Sequence, residues 1–238
     1  SPLPPHGEQR ALPVLETPLQ SIQLHAEVGD PDERRIVQTL NACLHTLMAE
    51  QDEVICLGED LADPYGGAFK VTAGLSTTFP ERVFSTPISE AAIMGTANGL
   101  ALAGFRPITE VMFADFVLLA ADQLINHAAK IHYMYAGQVS CPVTVRLVSG
   151  GGRGYGPTHS QSPEGIFCGV PGLRVIAHSH RHRIDTLLRA VVADDAPTLF
   201  VEHKLLYGAV TAHTPPLDLV IGSAKGTPDT FPPLCYHP

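Results

Sequence analysis

The sequence contains no tryptophan, few charged residues and no excess of basic side chains. Only 16% of its 238 residues are charged and 45% are hydrophobic, so much of the chain must lie in a core or an interface. Lysine and arginine number 15 against 24 acidic residues, which gives a formal net charge of −9. Because nucleic-acid-binding proteins need a basic surface, this balance argues against a nucleic-acid partner.

Long apolar runs and paired cysteine motifs are also missing. No uninterrupted apolar stretch approaches the ~20 residues that cross a bilayer, so the sequence predicts no membrane segment. The five cysteines are scattered and form no C-x-x-C motif. This pattern favours buried free thiols in a cytoplasmic setting, either a bacterial cytosol or an organelle matrix, over a disulfide framework or a zinc site.

Composition divides the chain into three zones. Residues 1–33 carry six prolines and no sustained periodicity, which predicts an extended leader. Residues 34–208 alternate apolar strands with helical segments, and residues 209–238 form a proline-rich tail. Helices that alternate with continuously apolar strands indicate an α/β domain, in which a mostly parallel sheet is covered by helices on both faces.

The middle zone contains six predicted strands and four predicted helices. The strands are expected over residues 54–58, 82–84, 108–113, 143–148, 173–177 and 199–201, and the helices over 36–48, 89–104, 114–135 and 181–194. Ligands of such sheets bind beyond the carboxyl ends of the strands. The loops that lead from strands into helices are therefore the place to look for functional residues.

A serine and a glutamate open the helix that is predicted over 89–104. One interpretation is ordinary capping, with Ser89 as the cap and Glu90 in the first turn, where the helix dipole favours an anion. The other interpretation places the Glu90 carboxylate in a poorly solvated cleft, where it would exchange a proton with a ligand nitrogen. The residues by themselves leave both interpretations open.

A glycine-rich segment, residues 149–156, follows a strongly apolar strand. No Lys-Ser or Lys-Thr follows the glycines, so the segment is not a P-loop, and a mobile loop and a ligand-binding loop both remain open. His159 lies just beyond it and is a candidate acid or base. The chain contains no G-x-S-x-G motif, so nucleophile-elbow serine catalysis has no support.

Two further groups of polar residues follow predicted strands. Glu59 and Asp60 end the first strand and could hold a metal, although paired acids cap helices more often. His178, His180 and His182 alternate with arginines after a later strand. We interpret these histidines as a solvated turn and not as a metal site.

Several motifs taken together resemble one known family. They occur in the order GED (58–60), YGGAFKVT (65–72), TPISE (86–90), GFRP (104–107), DQLIN (122–126), AAK (128–130), HSQS (159–162) and PGL (171–173). This order is similar to that of the beta subunit of the thiamine-diphosphate-dependent decarboxylase component of 2-oxo acid dehydrogenase complexes, of the pyruvate, acetoin or branched-chain type. The match covers about residues 34–208, which resemble the pyrimidine-binding domain of the transketolase-like superfamily.

The resemblance implies roles for individual residues. Glu90 matches the glutamate that hydrogen-bonds the aminopyrimidine of thiamine diphosphate and thereby activates the cofactor to its ylid for decarboxylation. Ile88, Met112 and Phe116 match the apolar positions around the pyrimidine. Glu59 matches an acid on a proton path between paired active sites, and His159 matches a histidine that faces the substrate or the lipoyl acceptor.

The resemblance also implies a potassium site and a partner. Val143, Val191, Val192 and Asp194 match the positions that hold a structural potassium ion in relatives. The chain has no G-D-G followed by asparagine, the pattern that holds magnesium and the diphosphate on the alpha subunit. We therefore expect an alpha-type partner, an alpha2beta2 heterotetramer, inactivity of the chain alone, and acyl transfer to a lipoyl acyltransferase.

Alternatives remain at this point. The same Glu90 chemistry would serve a transketolase-like ketol transfer from a ketose phosphate, and a non-catalytic scaffold module of the same fold is a further possibility. The C-terminal domain of the family's beta subunits is expected to be absent, because only the proline-rich tail follows residue 208.

Overall fold

The computed structural model describes residues 34–211 and one further pair of short strands, β1 (Ile22–Gln23) and β8 (Val220–Ile221). These two strands pair with each other in antiparallel orientation. The remainder of the predicted leader and tail lies outside the described residues, and the predicted zone boundaries stay predictions. Where the described chain begins and ends, Ile36 N donates a 2.8 Å hydrogen bond to the carbonyl oxygen of Ala209.

The described chain alternates strands and helices. The strands of the central sheet are β2 (Val54–Gly58), β3 (Val83–Ser85), β4 (Arg106–Val111), β5 (Thr144–Ser149), β6 (Arg174–Ala177) and β7 (Thr198–His203). The α-helices are α1 (Ile36–Glu50), the single turn α2 (Leu75–Thr78), α3 (Glu90–Leu102), α4 (Ala129–Met134) and α5 (Ile184–Ala193).

The six central strands form one sheet in the order β3-β2-β4-β5-β7-β6, and every neighbouring pair is parallel. The predicted fold class is therefore confirmed. The chain leaves β2 towards β3 on one side, and it leaves β4 towards β5 on the other side. In parallel sheets, ligands bind where the connections diverge in this way, which here is beyond the carboxyl ends of β2 and β4.

Helices bury both faces of the sheet, so the core has two layers. On one face, α1 and α5 pack over a cluster that includes Leu44, Leu188 and Phe200. On the other face, α3 and the helical run after β4 pack over a cluster that includes Met94 and Leu147. Alternate residues of a strand enter opposite layers, so both sides of each central strand are apolar.

The helix that the sequence predicts over 114–135 is broken into three pieces. A 3-10 helix (Ala114–Ala120) is followed by a π-helix (Gln123–Ala128) and then by α4. The predicted apolar face is largely buried, but Asn98 Nδ2 donates a 2.9 Å hydrogen bond to the carbonyl oxygen of Gln123. A side chain from α3 thus takes a carbonyl at the junction, which interrupts the regular helix ladder. Among the described helices, none is long and apolar enough to span a bilayer.

Candidate active site

Four consecutive strands of the sheet bring the predicted site residues to one edge. Glu90 follows β3, Glu59 follows β2, Met112 and Phe116 follow β4, and His159 follows β5. All four strands run parallel, so their carboxyl ends meet at the same edge. Site residues of different loops are separated along the chain by 22 residues, for Glu90 and Met112, up to 100 residues, for Glu59 and His159. The sheet order nevertheless makes these loops neighbours.

Glu90 begins α3 and is buried, with only 7% of its surface exposed. Ser89 caps the helix, since its hydroxyl accepts a 3.3 Å hydrogen bond from the backbone N–H of Ala92. The capping interpretation is therefore confirmed, and the proton exchange of Glu90 with a ligand stays a prediction. No residue of the described chain donates a hydrogen bond to the Glu90 carboxylate. Neither carboxylate oxygen is among the described side-chain atoms that are fully buried without a hydrogen-bond partner, so a ligand that supplies a donor can reach them.

Glu59 is half-buried just beyond β2, and its carboxyl group interacts electrostatically with that of Glu90. Burial raises the pKa of its carboxyl group, and the nearby carboxylates of Glu90 and Asp60 raise that pKa further. Asp60 itself is exposed and has a φ of 52°. The two adjacent acids therefore differ in exposure, and Glu59 is the one whose carboxyl group interacts with the Glu90 carboxylate.

Aromatic rings line the site on the β4 and β5 side. The imidazole of His159 meets the ring of Phe113 at a centroid distance of 4.7 Å and the ring of Phe116 at 5.1 Å, in both cases edge to face. Thr158 Oγ1 lies 3.0 Å from Nδ1 of His159, so the hydroxyl and the ring nitrogen form a hydrogen bond. Phe113, which was not among the predicted site residues, contacts the rings of both His159 and Phe116.

The two other predicted apolar positions differ in exposure. Met112 is half-buried directly after β4. Ile88 is 83% exposed, although it is a large apolar side chain at the edge of the site. An isolated apolar side chain on a surface is ordinary, but one beside a buried acid fits a contact with a ligand or with another chain.

Of the three histidines after β6, His180 is exposed in a turn as expected, but His178 is not in solvent. His178 is only 6% exposed and stacks on Phe200, with ring centroids 6.0 Å apart. Burial lowers its pKa to about 4, against the opposing effect of the Glu202 carboxylate. The expectation was wrong for this residue because its backbone N–H bonds to the carbonyl of Val201, which draws the ring over the sheet. Within the described residues, no group of three or more His, Cys, Asp or Glu side chains could hold a metal ion.

The predicted potassium positions lie at the opposite, amino edge of the sheet. The guanidinium group of Arg106 donates to the carbonyl oxygens of Val192 at 2.9 Å and of Asp194 at 3.1 Å. The Asp194 carboxylate pairs with Arg174. Two cationic side chains thus lie against these positions, and backbone N–H groups bond the carbonyls of Val143 and Val191. The potassium assignment stays a prediction, and no functional step is derived from it.

Sequence reasoning missed a buried ionic network behind the site. Arg146 donates to Glu110 at 2.5 Å and to the two oxygens of Glu202 at 2.6 and 2.7 Å. The hydroxyl of Tyr207 donates to Glu202 at 2.6 Å. Burial alone would lower the pKa of Arg146, but the two carboxylates outweigh it and raise that pKa well above its usual value. The available signal was an acidic or basic residue inside each of three largely apolar strands, namely Glu110 in β4, Arg146 in β5 and Glu202 in β7.

The buried ionic network lies next to two parts of the site, the loop after β2 and the aromatic rings after β4. Glu110 is placed one residue before the end of β4, and an added Cβ at Gly67 would lie 3.3 Å from its Oε1. The loop after β2 therefore approaches the network closely. On the other side, the ring of Tyr207 contacts Phe69 with centroids 5.3 Å apart, and Phe69 in turn contacts Phe113 at 5.9 Å. The buried charges thus connect to the aromatic wall through packed rings.

The family of the chain follows from its sequence and agrees with this site. The pattern of the family "Transketolase, pyrimidine binding domain" matches residues 33–210, and the chain belongs to this family. The 2-oxoisovalerate dehydrogenase subunit beta of Bacillus subtilis is 42% identical over 190 residues, which are 79% of this chain and 58% of that protein. The mitochondrial pyruvate dehydrogenase E1 component subunit beta-1 of Arabidopsis thaliana is 39% identical, over 74% of this chain and 48% of that protein.

These relatives confirm the resemblance to beta subunits of 2-oxo acid dehydrogenases. The chain spans about half the length of the curated relatives that it matches. A solved structure described as "Split gene transketolase, inactive beta4 tetramer" superimposes with a TM-score of 0.57 at 20% identity, over 75% of this chain and 53% of that chain. At this identity the superposition shows the shared fold alone.

Proposed function

We propose that the chain supplies the pyrimidine half of a thiamine-diphosphate site in a 2-oxo acid dehydrogenase, as a beta-type subunit. The observation that carries the proposal is the Glu90 carboxylate, which is 7% exposed at the start of α3 and receives no hydrogen bond from the described chain. An aminopyrimidine ring nitrogen is the kind of group with which such a carboxyl shares a proton. The relatives, each named as a 2-oxo acid dehydrogenase beta subunit, support the substrate class.

Each residue of the site has a task in this proposal. When bound, thiamine diphosphate supplies the carbon nucleophile for decarboxylation of a 2-oxo acid. Glu90 holds a proton at the pyrimidine ring nitrogen, and burial away from water strengthens that interaction. Phe116 and Met112 present apolar surface to the ring, and Glu59 holds a second proton near Glu90. His159 faces the substrate or the lipoyl group that accepts the acyl unit.

The site also calls for a second chain. Ile88 is 83% exposed beside the buried acid, and Leu118 and Leu119 of the neighbouring 3-10 helix are exposed as well. Apolar surface next to a site favours coverage by a partner. We propose an alpha-type partner that binds magnesium and the diphosphate, an alpha2beta2 assembly, and acyl transfer to a lipoyl acyltransferase in the cytosol or an organelle matrix.

The alternatives have less support. The transketolase-like structure shares only 20% identity, whereas the dehydrogenase subunits share about 40%. A non-catalytic scaffold would have no need of a buried acid without a donor, nor of a histidine held edge to face against two phenylalanines. The 2-oxo acid dehydrogenase subunit is therefore the function that we propose.

The test is Glu90→Gln in the complex with the alpha-type partner. Glutamine keeps the size of the side chain but cannot share a carboxyl proton, so we expect 2-oxo-acid-dependent turnover to fall by about 10² to 10⁴-fold. The chain without its partner should show no turnover.

Glu81→Gln serves as the matched control because Glu81 is exposed between α2 and β3. The control should keep full turnover. Near-normal turnover of Glu90→Gln with 2-oxo acids would contradict the proposal, and so would a preference of the complex for ketose phosphates.

A further inference from the structure

The loop that carries His159 is closed at its base by hydrogen bonds. After β5, Gly150 N donates to the carbonyl oxygen of Gln161 at 3.1 Å, so the chain returns to its starting point eleven residues later. Lys204, which is buried, donates from Nζ to the carbonyl oxygen of Gly150 at 2.7 Å. Between these points the loop is mostly exposed. The position of His159 therefore depends on how this base is anchored.

One buried carboxylate anchors the base to the other side of the site. Asp115 is 9% exposed, and its Oδ1 accepts hydrogen bonds from the backbone N–H of Gln161 at 3.2 Å and from Nε2 of Gln161 at 2.8 Å. The two bonds come from one residue and end on one oxygen. They tie the end of the loop to the 3-10 helix Ala114–Ala120.

The Asp115–Gln161 link joins the segments that carry Phe116 and His159. Asp115 directly precedes Phe116, and Gln161 lies two residues after His159. The His159 and Phe116 rings are edge to face, with centroids 5.1 Å apart and planes at 87°. No hydrogen bond between described residues joins His159 to Phe116 directly. The Asp115–Gln161 link is thus the shortest polar connection between the elements that carry them.

The Asp115 carboxylate is only partly hydrogen-bonded and interacts with one cation, Lys204. Its Oδ2 is buried and receives no hydrogen bond from the described residues, so the carboxylate is under-satisfied for a core position. The nearby cation is Lys204: burial lowers the pKa of its ammonium group, and the Asp115 carboxylate opposes that effect. Lys204 bonds the first residue of the loop and Asp115 bonds its last residue, so the two opposite charges hold both ends.

We propose that Asp115 is a positioning residue, which fixes the His159 loop against the Phe116 helix through Gln161. The proposal rests on the proposed function in one respect, namely that His159 acts on the substrate or on the acyl acceptor. Asp115 acts through another residue and does not itself contact the reacting groups. The rate of acyl transfer depends strongly on the position of His159, because a displacement of a catalytic group by about 1 Å can lower a rate on the order of 10²-fold.

The first measurement is hydrogen exchange of residues 150–161 in the complex with the alpha-type partner. In Asp115→Ala, exchange at the hydrogen-bonded amides of Gly150, His159 and Gln161 should be at least about tenfold faster, because the Gln161 amide loses its acceptor and the base of the loop loosens. Asp115→Asn keeps an acceptor oxygen and should restore slow exchange. Asp52→Ala, at an exposed acid before the amino end of β2, is the control and should leave this loop unchanged.

The second measurement is a double-variant cycle for acyl transfer to a lipoylated acceptor domain. Asp115→Ala should lower kcat by about 10- to 100-fold with a smaller change in KM, and Asp115→Asn should recover most of the loss. Gln161→Met, which keeps the backbone N–H, is the milder variant and should have a partial effect. In a His159→Ala background, Asp115→Ala should lower kcat by no more than about twofold further.

The outcomes separate this proposal from the proposed function. Unchanged loop exchange in Asp115→Ala, or a loss that is fully additive with that of His159→Ala, overturns the positioning role even if the complex decarboxylates 2-oxo acids. If His159→Ala leaves acyl transfer intact, the role of His159 in the proposed function fails, and loop exchange still decides whether Asp115 holds the loop.

Discussion

The carboxylates of Glu59 and Glu90 interact through space, although the two residues belong to different loops. Glu59 follows β2 and Glu90 begins the helix after β3, and these strands are hydrogen-bonded neighbours. The negative charge of Glu90 adds to the effect of burial and raises the pKa of Glu59. The fold therefore places Glu59 where its affinity for a proton depends on the charge of Glu90.

This coupling predicts a shift in the titration of Glu59. In Glu90→Gln the neighbouring negative charge is gone, so the pKa of Glu59 should fall, while burial keeps it above its ordinary value. NMR titration of 13C-labelled glutamate carboxyl groups measures the change. Glu81→Gln, at an exposed site, should leave the Glu59 titration as it is. An unchanged Glu59 pKa in Glu90→Gln would show that the two groups do not interact.

The buried network predicts a large loss of stability when its cation is removed. Arg146→Met leaves the Glu110 and Glu202 carboxylates buried without their counterion, and breaking a buried pair in this way costs about 3–5 kcal/mol. Urea denaturation of the chain measures the free energy of unfolding. Arg189→Met removes the exposed pair with Glu50 and should cost under about 1 kcal/mol. Equal costs for the two variants would rule out the network as a major source of stability.

The burial of His178 predicts that the protein loses stability as the pH falls. The pKa of His178 is about 4 in the folded chain, against an ordinary histidine value of 6.5. Between these two pH values the histidine is protonated in the unfolded chain and neutral in the folded chain, so protonation favours unfolding. The unfolding free energy of the wild type should therefore fall by about 3 kcal/mol more than that of His178→Phe between pH 7 and pH 4.

Denaturation curves at several pH values measure this difference. Phenylalanine is the matched replacement because it keeps a ring to stack on Phe200 and has no titrating group. Parallel pH dependence in the wild type and in His178→Phe would mean that His178 titrates in the folded protein as it does in water. Such a result would contradict the buried placement of the ring.

Much of the fold could be read from the sequence because the apolar pattern is strong. The strand predicted over 54–58 is β2 itself, and Ser89 caps α3 as its position suggested. The run over 114–135 was predicted as one helix, but a hydrogen bond from Asn98 interrupts it. Periodicity indicates which side chains are buried, whereas the type of helix depends on contacts with a neighbouring element.

The candidate site shows the same division. Glu90, Glu59 and His159 lie in the motifs, Phe116 is implied by the family resemblance, and parallel strands bring their loops to one edge of the sheet. His178 was expected in solvent but is buried, because a backbone bond to a neighbouring strand decides where its ring lies. Arg146 was overlooked because its two partners are 36 and 56 residues away along the chain.

The sequence by itself determined the fold class, the family resemblance and the chemical types available at the site, because apolar patterns and motifs are local properties of the chain. Only the tertiary structure decided that Asp115 accepts hydrogen bonds from Gln161 and that the charge of Glu90 raises the pKa of Glu59. It also decided that Arg146 forms ion pairs with two buried acids. These relations join residues from different strands and loops. They depend on sheet order and register, which set distances that no local pattern contains.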